Sequence, residues 1–323
     1  MILTVTLNTA IDKTLAVPNF RLGRRHRTVE QTTMPGGKGV NVARVLKTLG
    51  APVIATGLAG GATGTRLVEQ LTQFSVLSDF VRIREESRTN TAVIDPTTGE
   101  QTEINERGPS VSEQEIELFV DKLLYLAKGA SMCVFAGSLP RNVDVDIYAG
   151  LIRELKRLGV ATVVDTDGDP LRRAVRAEPD VISPNVLEAE ELVGHEFNEP
   201  QDHFLAVGQM VEMGAREAIM TTPEGCFASL LPSEHNGERA VYHVKLRDPI
   251  DARATVGSGD AFLAGYVAAR YGGREPIDCL RYGVACGAES TRHLGAGLVD
   301  PGHVDRLLAT IDVDRSELSA EAH

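Results

Sequence analysis

Asp260 closes the run Thr255-Val256-Gly257-Ser258-Gly259-Asp260 and heads an apolar stretch from Ala261 to Ala269. Two glycines and a serine let backbone N–H groups converge on one point. A helix beginning there adds its unpaired amides and positive dipole end at the same place. Such a place binds anions. A carboxylate beside an anion cradle is suited to phosphoryl transfer: the amides hold charge on the moving phosphoryl, and the carboxylate accepts a hydroxyl proton. Taken alone, the run would equally suit a glycine turn with Asp260 as a first-turn charge.

A second glycine-rich run is Pro35-Gly36-Gly37-Lys38-Gly39-Val40-Asn41-Val42-Ala43. Val40, Val42, Ala43, Leu46 and Leu49 predict a buried helix, stopped by Gly50 and Pro52. The loop before it is again lined with amides. It is not a P-loop, because Gly39 follows Lys38 where Ser or Thr belongs. It is a poor dinucleotide fingerprint too, with Val42 where Gly or Ala belongs, which disfavours a dinucleotide-dependent oxidoreductase. Asp12 follows a predicted first strand, residues 2–7. Ligands collect at the carboxyl ends of strands in open α/β sheets, although a turn aspartate is the commoner case.

These residues need a scaffold. The chain has 323 residues, 42% hydrophobic, with 31 glycines and no tryptophan. That balance favours an α/β enzyme over a β-sandwich. Alternation predicts strands at 53–57, 132–136, 161–165 and 180–183, with 217–221, 226–231 and 240–245 closing the sheet as an antiparallel edge. Ser112-x-x-Glu115 predicts a capping box and a helix to about residue 126. Further helices are expected at 65–74, 144–157, 169–176, 260–270, 276–291 and 303–311, and one opening at Pro184-Asn185-Val186. Short alternating segments at about 13–33 and 79–107 read as a small lid sheet inserted into one domain, residues 1–312. Residues 313–323 read as an acidic, disordered tail.

The formal net charge of −12 argues against nucleic acid or an anionic membrane as a partner. An anionic small molecule remains open to local arginines: Arg21, Arg24, Arg25 and Arg27 with His26, or Arg82, Arg84 and Arg88. The four cysteines form no Cys-x-x-Cys pair and read as buried thiols of a reducing, cytoplasmic compartment. His26, His195, His203 and His243 read as surface residues.

With these stretches in view, the chain resembles the PfkB (ribokinase-like) carbohydrate kinases. Gly36-Gly37-Lys38-Gly39-Val40-Asn41-Val42-Ala43 is similar to that family's first signature, and Thr255 to Asp260 to its second. Gly137-Ser138-Leu139-Pro140 and Asn185-x-x-Glu188 match in order and spacing. Thr6-Leu7-Asn8-x-Ala10-x-Asp12 and Ser87-Arg88-Thr89-Asn90 resemble the branch of 1-phosphofructokinase, tagatose-6-phosphate kinase and the minor bacterial 6-phosphofructokinase.

The resemblance implies a three-layer α/β/α sandwich with a mostly parallel central sheet and a small β-sheet lid. It implies transfer from Mg-ATP to a ketohexose monophosphate, giving the bisphosphate, with fructose 1-phosphate first, then tagatose 6-phosphate and fructose 6-phosphate. Asp260 would be the base, ionised at neutral pH because the helix start lowers its pKa. Gly257, Ser258 and Gly259 would form the anion hole. Asp12, Gly36, Gly37 and Asn41 would line the sugar, with Lys38 on its phosphate or neutralising charge. Arg88, Asn90, Ser138 and Arg27 would hold the existing phosphate. The nucleotide would meet Asn185, Thr222, Gly225, Thr255, Gly257, Gly259 and Cys286, with Glu188 organising Mg²⁺ through water. The lid strands imply a homodimer.

Two stretches depart from the family pattern, both on the nucleotide side. Ser183 stands where Lys is usual, and Met220-Thr221-Thr222-Pro223-Glu224-Gly225 where Ser-Leu-Gly-x-x-Gly is usual. They motivate a rival reading from another class, a sugar-phosphate-binding protein without kinase activity.

Overall fold

Period-two apolar patterning builds the strands, and most bury side chains on both faces, as parallel strands covered by helices must. The computed structural model describes residues 1–231, 239–250 and 252–316. The first part of the chain forms β1 (Ile2–Thr6), β2 (Ala10–Ala16), β3 (Glu30–Gly36), α1 (Lys38–Thr48), β4 (Val53–Gly60), α2 (Gly61–Gln73), β5 (Leu77–Ile83), β6 (Arg88–Ile94) and β7 (Gln101–Asn105). The middle forms α3 (Glu113–Ala127), β8 (Met132–Ala136), α4 (Ile147–Arg157), β9 (Ala161–Asp165), α5 (Gly168–Val175), β10 (Val181–Ile182), α6 (Val186–Val193) and α7 (Pro200–Glu212). The last part forms β11 (Glu217–Thr222), β12 (Gly225–Leu230), β13 (Ala240–Leu246), α8 (Ser258–Tyr271), α9 (Pro276–Ser290), α10 (Pro301–Leu307) and β14 (Ile311–Ser316).

The main sheet has ten strands in the order β14-β13-β12-β11-β10-β9-β8-β1-β4-β5. The seven from β5 to β11 are parallel, and β12, β13 and β14 add the antiparallel edge. Ile2, Met132 and Val134 enter one apolar core with α1, α2, α8 and α9. Leu3, Val5, Cys133 and Phe135 enter the other with α3 to α7. The result is the expected three-layer sandwich. A separate sheet, β3-β2-β6-β7, is the lid.

From β1 the chain builds outward through β4 and β5, then returns to place β8 on the other side of β1. That reversal leaves a crevice at the carboxyl ends of β1 and β8, where ligands bind in open sheets. Ser112 caps α3 as its sequence implies: Ser112 Oγ accepts from the Glu115 N–H, and the Glu115 carboxylate accepts from the Ser112 N–H.

Three expectations change. Residues 79–84 do not join the lid: β5 pairs with β4 at the edge of the main sheet, because Phe80, Val81 and Ile83 are buried there. The tail is not wholly irregular, since β14 pairs with β13 from Val241↔Ser316 to Leu246↔Ile311. Residues 317–323 lie outside the described residues. Helix α7, unmarked in the sequence reading, covers β11 and β12 with Ala206, Val207 and Met210. Among the described residues no helix is long and apolar enough to cross a membrane.

Candidate active site

Asp260 lies in the first turn of α8, 6% exposed, and its Oδ2 accepts from Asn41 Nδ2 at 2.8 Å. Gly257 is the N-cap, with φ 78°. A side chain there would be strained by the left-handed backbone and would meet Ala296 Cβ at 2.4 Å. A Cβ at Gly259 would meet nothing within 4 Å, so the start of α8 is not packed over at that residue.

The expected electrostatics of Asp260 must be corrected. Burial, together with the nearby Asp165 carboxylate, pushes its pKa up to about 7. These outweigh the Lys38 ammonium and the Asn41 hydrogen bond. Desolvation therefore dominates over the helix start. A base poised near neutrality is better matched to its task than a fully acidic aspartate.

The sugar-side residues converge. Cross-strand pairing of β2 with β6 sets Asp12 opposite Asn90, and Asn90 Nδ2 donates to Asp12 Oδ1 at 2.9 Å. Asn90 and Arg88, two residues apart on β6, thus both lie beside Asp12. Gly36 lets β3 approach: a Cβ there would fall 2.0 Å from Asp12 Oδ2. Burial raises the Asp12 pKa, opposed by Asn90 and Arg88. The Oδ1 atoms of Asn41 and Asn90 are buried without hydrogen-bond partners among the described residues. Buried acceptors are normally satisfied, so two orphans on residues bonded to Asp260 and Asp12 stand out.

Beside them lies a second pocket wall. Asn8 Nδ2 donates to the Arg107 carbonyl, to Ser138 Oγ at 3.3 Å and weakly to the Leu139 carbonyl. Arg88 Nε donates to the Asn8 carbonyl at 3.3 Å and Arg88 Nη1 to the Glu106 carbonyl at 3.0 Å. Arg88 is thereby held against the segments that follow β1 and β7. Arg27 is exposed in the segment between β2 and β3, away from this group's hydrogen bonds.

Lys38 does not reach toward the arginine wall. Its ammonium pairs with Asp165 Oδ1 at 2.6 Å and Glu188 Oε1 at 3.2 Å. Burial lowers its pKa, but these carboxylates outweigh burial and hold it above the ordinary lysine range. Asp165 closes β9, yet the sequence reading passed over it; the signal that drew attention to Asp12, an aspartate ending a strand, was present there too. Asn185 and Glu188 form a capping box on α6, with Asn185 Oδ1 accepting from the Glu188 N–H and Glu188 Oε2 from the Asn185 N–H. Thr222 Oγ1 accepts from the Gly225 N–H at the β11–β12 turn, and Asn185 bridges to Thr221. Thr255 meets Gln101 of the lid. Cys286 is fully buried, its Sγ against Gly265 between α8 and α9. It packs those helices and does not wall the cleft.

His195 is exposed, as expected, whereas His203 and His243 are half-buried. His203 and His243 both stack on Phe227, the latter at 4.1 Å. Ser183, one of the two sequence departures, is buried after β10, and its N–H donates to the Val164 carbonyl.

Strand ends, an amide-lined helix start with a buried carboxylate, and a lid sheet carrying Asp12 over it describe a phosphoryl-transferring enzyme of the ribokinase-like fold. The chain belongs to the pfkB family of carbohydrate kinases, whose profile matches residues 4–301. It is 31% identical over 314 residues to the 1-phosphofructokinase of Borreliella burgdorferi, covering 97% of this chain and 98% of that one. It is 32% identical over 317 residues to a tagatose-6-phosphate kinase of Staphylococcus epidermidis, covering 97% and 99%. Phosphofructokinase-2 from Escherichia coli, solved with substrates and products, superposes with a TM-score of 0.87 at 28% identity, covering 95% of this chain and 98% of that one.

Proposed function

We propose that the protein transfers the γ-phosphoryl group of ATP to a free hydroxyl of a ketohexose monophosphate, giving the bisphosphate. Fructose 1-phosphate, yielding fructose 1,6-bisphosphate, is the first choice. The observation that carries the reading is the placement of Asp260: buried, bonded to Asn41, and at the amide-lined start of α8.

Asp12, Asn41 and Asn90 hold the sugar hydroxyls, the two asparagines offering their unfilled acceptors. Arg88, Asn8 and Ser138 hold the phosphate already on the sugar, and Gly36 and Gly37 let the backbone come close. Arg27 would join them only if its segment folded inward. Asp260 takes the proton of the attacking hydroxyl. The amides of Gly257, Ser258 and Gly259 carry the charge of the transferring phosphoryl. Thr222, Gly225, Thr255 and Asn185 face the nucleotide.

Asp165 and Glu188 fit Mg²⁺, since these hard-oxygen donors already converge on one cation, the Lys38 ammonium. Among the described residues no three metal-ligating side chains form a cage, so water and phosphate oxygens would complete the shell. Mg²⁺ neutralises charge on the donor phosphates when bound.

A coupled ADP-release assay over sugar monophosphates tests the reading, with product regiochemistry fixing the isomer. Tagatose 6-phosphate is the second candidate, favoured by the 32% identity to a kinase of that name. Fructose 6-phosphate is the third. Sugar-phosphate binding without ADP release on any of them would favour the binding-protein reading and overturn this one.

Three further results are expected. Arg88→Ala raises KM for the sugar phosphate about tenfold or more, as loss of a charge-assisted bond implies, with kcat less affected. An unchanged KM would remove Arg88 from the phosphate site. In the wild type, kcat/KM falls with decreasing pH through about 7, where Asp260 gains its proton. A profile flat down to about pH 5.5 would show that no base of this kind titrates. Sedimentation at micromolar concentration should give a dimer. Val29 and Ile104 are 68% and 62% exposed on the lid, whose edge strands β3 and β7 are open. A monomer would refute lid pairing.

A further inference from the structure

Glu289, one residue before the end of α9, is 0% exposed, and its Oε2 lacks a hydrogen-bond partner among the described residues. Arg292 Nε lies 4.0 Å from that oxygen, and His303 Nδ1 lies 3.7 Å from the other. A buried, half-satisfied carboxylate is costly and needs a reason. Its other oxygen supplies one. Glu289 Oε1 accepts from His293 Nε2 at 2.9 Å and from the Asp300 N–H at 3.1 Å. These donors stand at the two ends of a loop, so one carboxylate oxygen ties the loop shut at its base.

The tip of that loop, Leu294-Gly295-Ala296-Gly297, is buried. Leu294 packs on Ile94 of β6 and on Ala254. Gly295 lies beside Thr32 and Met34 of β3. Ala296 abuts Gly257, and its carbonyl accepts from Arg44 Nη1 at 3.0 Å. Gly297 lies against Asn41 and Arg44 of α1. Thr291, at the loop's start, accepts from the Arg253 and Ala254 N–H groups at 2.8 and 3.1 Å. Four residues thus touch both lid strands that flank Asp12, the N-cap of the anion hole, and the asparagine that orients Asp260.

We propose that residues 294–297 are a wedge that registers the lid and the sugar-binding asparagine against the anion hole, and that Glu289 is the positioning residue that clasps it. A small error in this register separates a bound sugar hydroxyl from the phosphoryl it must meet. Misplacement on the scale of one ångström costs catalysis far more than binding. The proposal rests on the kinase reading above; failure of that reading would appear as absent ADP release from the wild type, before any variant is compared.

Glu289→Leu keeps the site filled and frees both donors, whereas Glu289→Gln keeps an accepting oxygen. For Glu289→Leu, kcat should fall about 30-fold, while calorimetric Kd values for sugar phosphate and for an ATP analogue move less than about threefold. Glu289→Gln should recover kcat to within about threefold of wild type. A folded Glu289→Leu protein with kcat within about twofold of wild type overturns the proposal, as does an equal loss in both variants, which would assign the effect to charge. Should Glu289→Leu fail to fold, Leu294→Ala decides instead. It leaves the clasp and removes the lid contact, and a kcat loss of about tenfold with unchanged Kd values supports the wedge. An unchanged kcat overturns it.

Discussion

Asp260→Asn should lower kcat by about 10³- to 10⁴-fold, the range expected for loss of a general base together with its charge. The Kd for the sugar phosphate should change less than about threefold, because Asp12, Arg88 and Ser138 are untouched. The asparagine fits the same site and can still accept from Asn41 Nδ2, now bonded to Asp260 Oδ2. It cannot take a proton. Residual activity should lose the acid limb near pH 7, because the group that titrates there has gone. Stability moves the other way. A carboxyl group whose folded-state pKa is raised from 3.8 to about 7 is tolerated as the acid and destabilises the fold once ionised. Below its unfolded pKa the penalty is absent; it grows as pH rises through the window to about 7. The variant's Tm at neutral pH should therefore equal or exceed that of the wild type. Turnover within about tenfold of wild type would remove Asp260 from the role of base.

The sequence showed the layers and most of the cleft because both rest on local patterns. Period-two runs marked β1, β4, β8 and β9, and glycine runs marked the starts of α1 and α8. What it hid depends on long-range packing. Residues 79–84 alternate like a lid strand, and only the pairing with β4 decides which sheet they join. The polar composition of residues 313–316 reads as a tail until β13 supplies a partner. The base's pKa was misread for a related reason. A helix start is visible in sequence and lowers an acid's pKa, whereas the burial and the Asp165 charge that raise it arise from residues about a hundred positions away. Lys38 reads in sequence as a ligand for the sugar's phosphate or a neutralising charge, because nothing near it announces Asp165 or Glu188. Asn8 appeared only as part of a motif, yet its side chain ties Ser138 to the segment after β7.

Lys38→Met should lower kcat at neutral pH by about 10²- to 10³-fold, comparable to removing one preorganised charge from a transition state. In the wild type the ammonium lies between the Asp165 and Glu188 carboxylates and within electrostatic reach of Asp260. Methionine conserves most of the volume and removes the charge, so two effects combine. Charge on the transferring phosphoryl loses a nearby cation. Asp260 loses the strongest influence that lowers its pKa, while Asp165 still raises it. The sign is then fixed: the Asp260 pKa moves above about 7, less of the base is ionised at neutral pH, and the acid limb shifts to higher pH. Raising the pH to about 8.5 should recover part of the lost kcat, the part due to protonation, and leave the part due to lost phosphoryl stabilisation. Lys38→Arg should fall between the two proteins, because it keeps the charge without the compact ammonium that fits between the carboxylates. Kinetics between about pH 6 and pH 9 separate the contributions. A Lys38→Met protein with kcat within about threefold of wild type and an unmoved acid limb would make Lys38 a structural counter-ion for Asp165 and Glu188, and would pass the neutralising role on the donor side to Mg²⁺ alone.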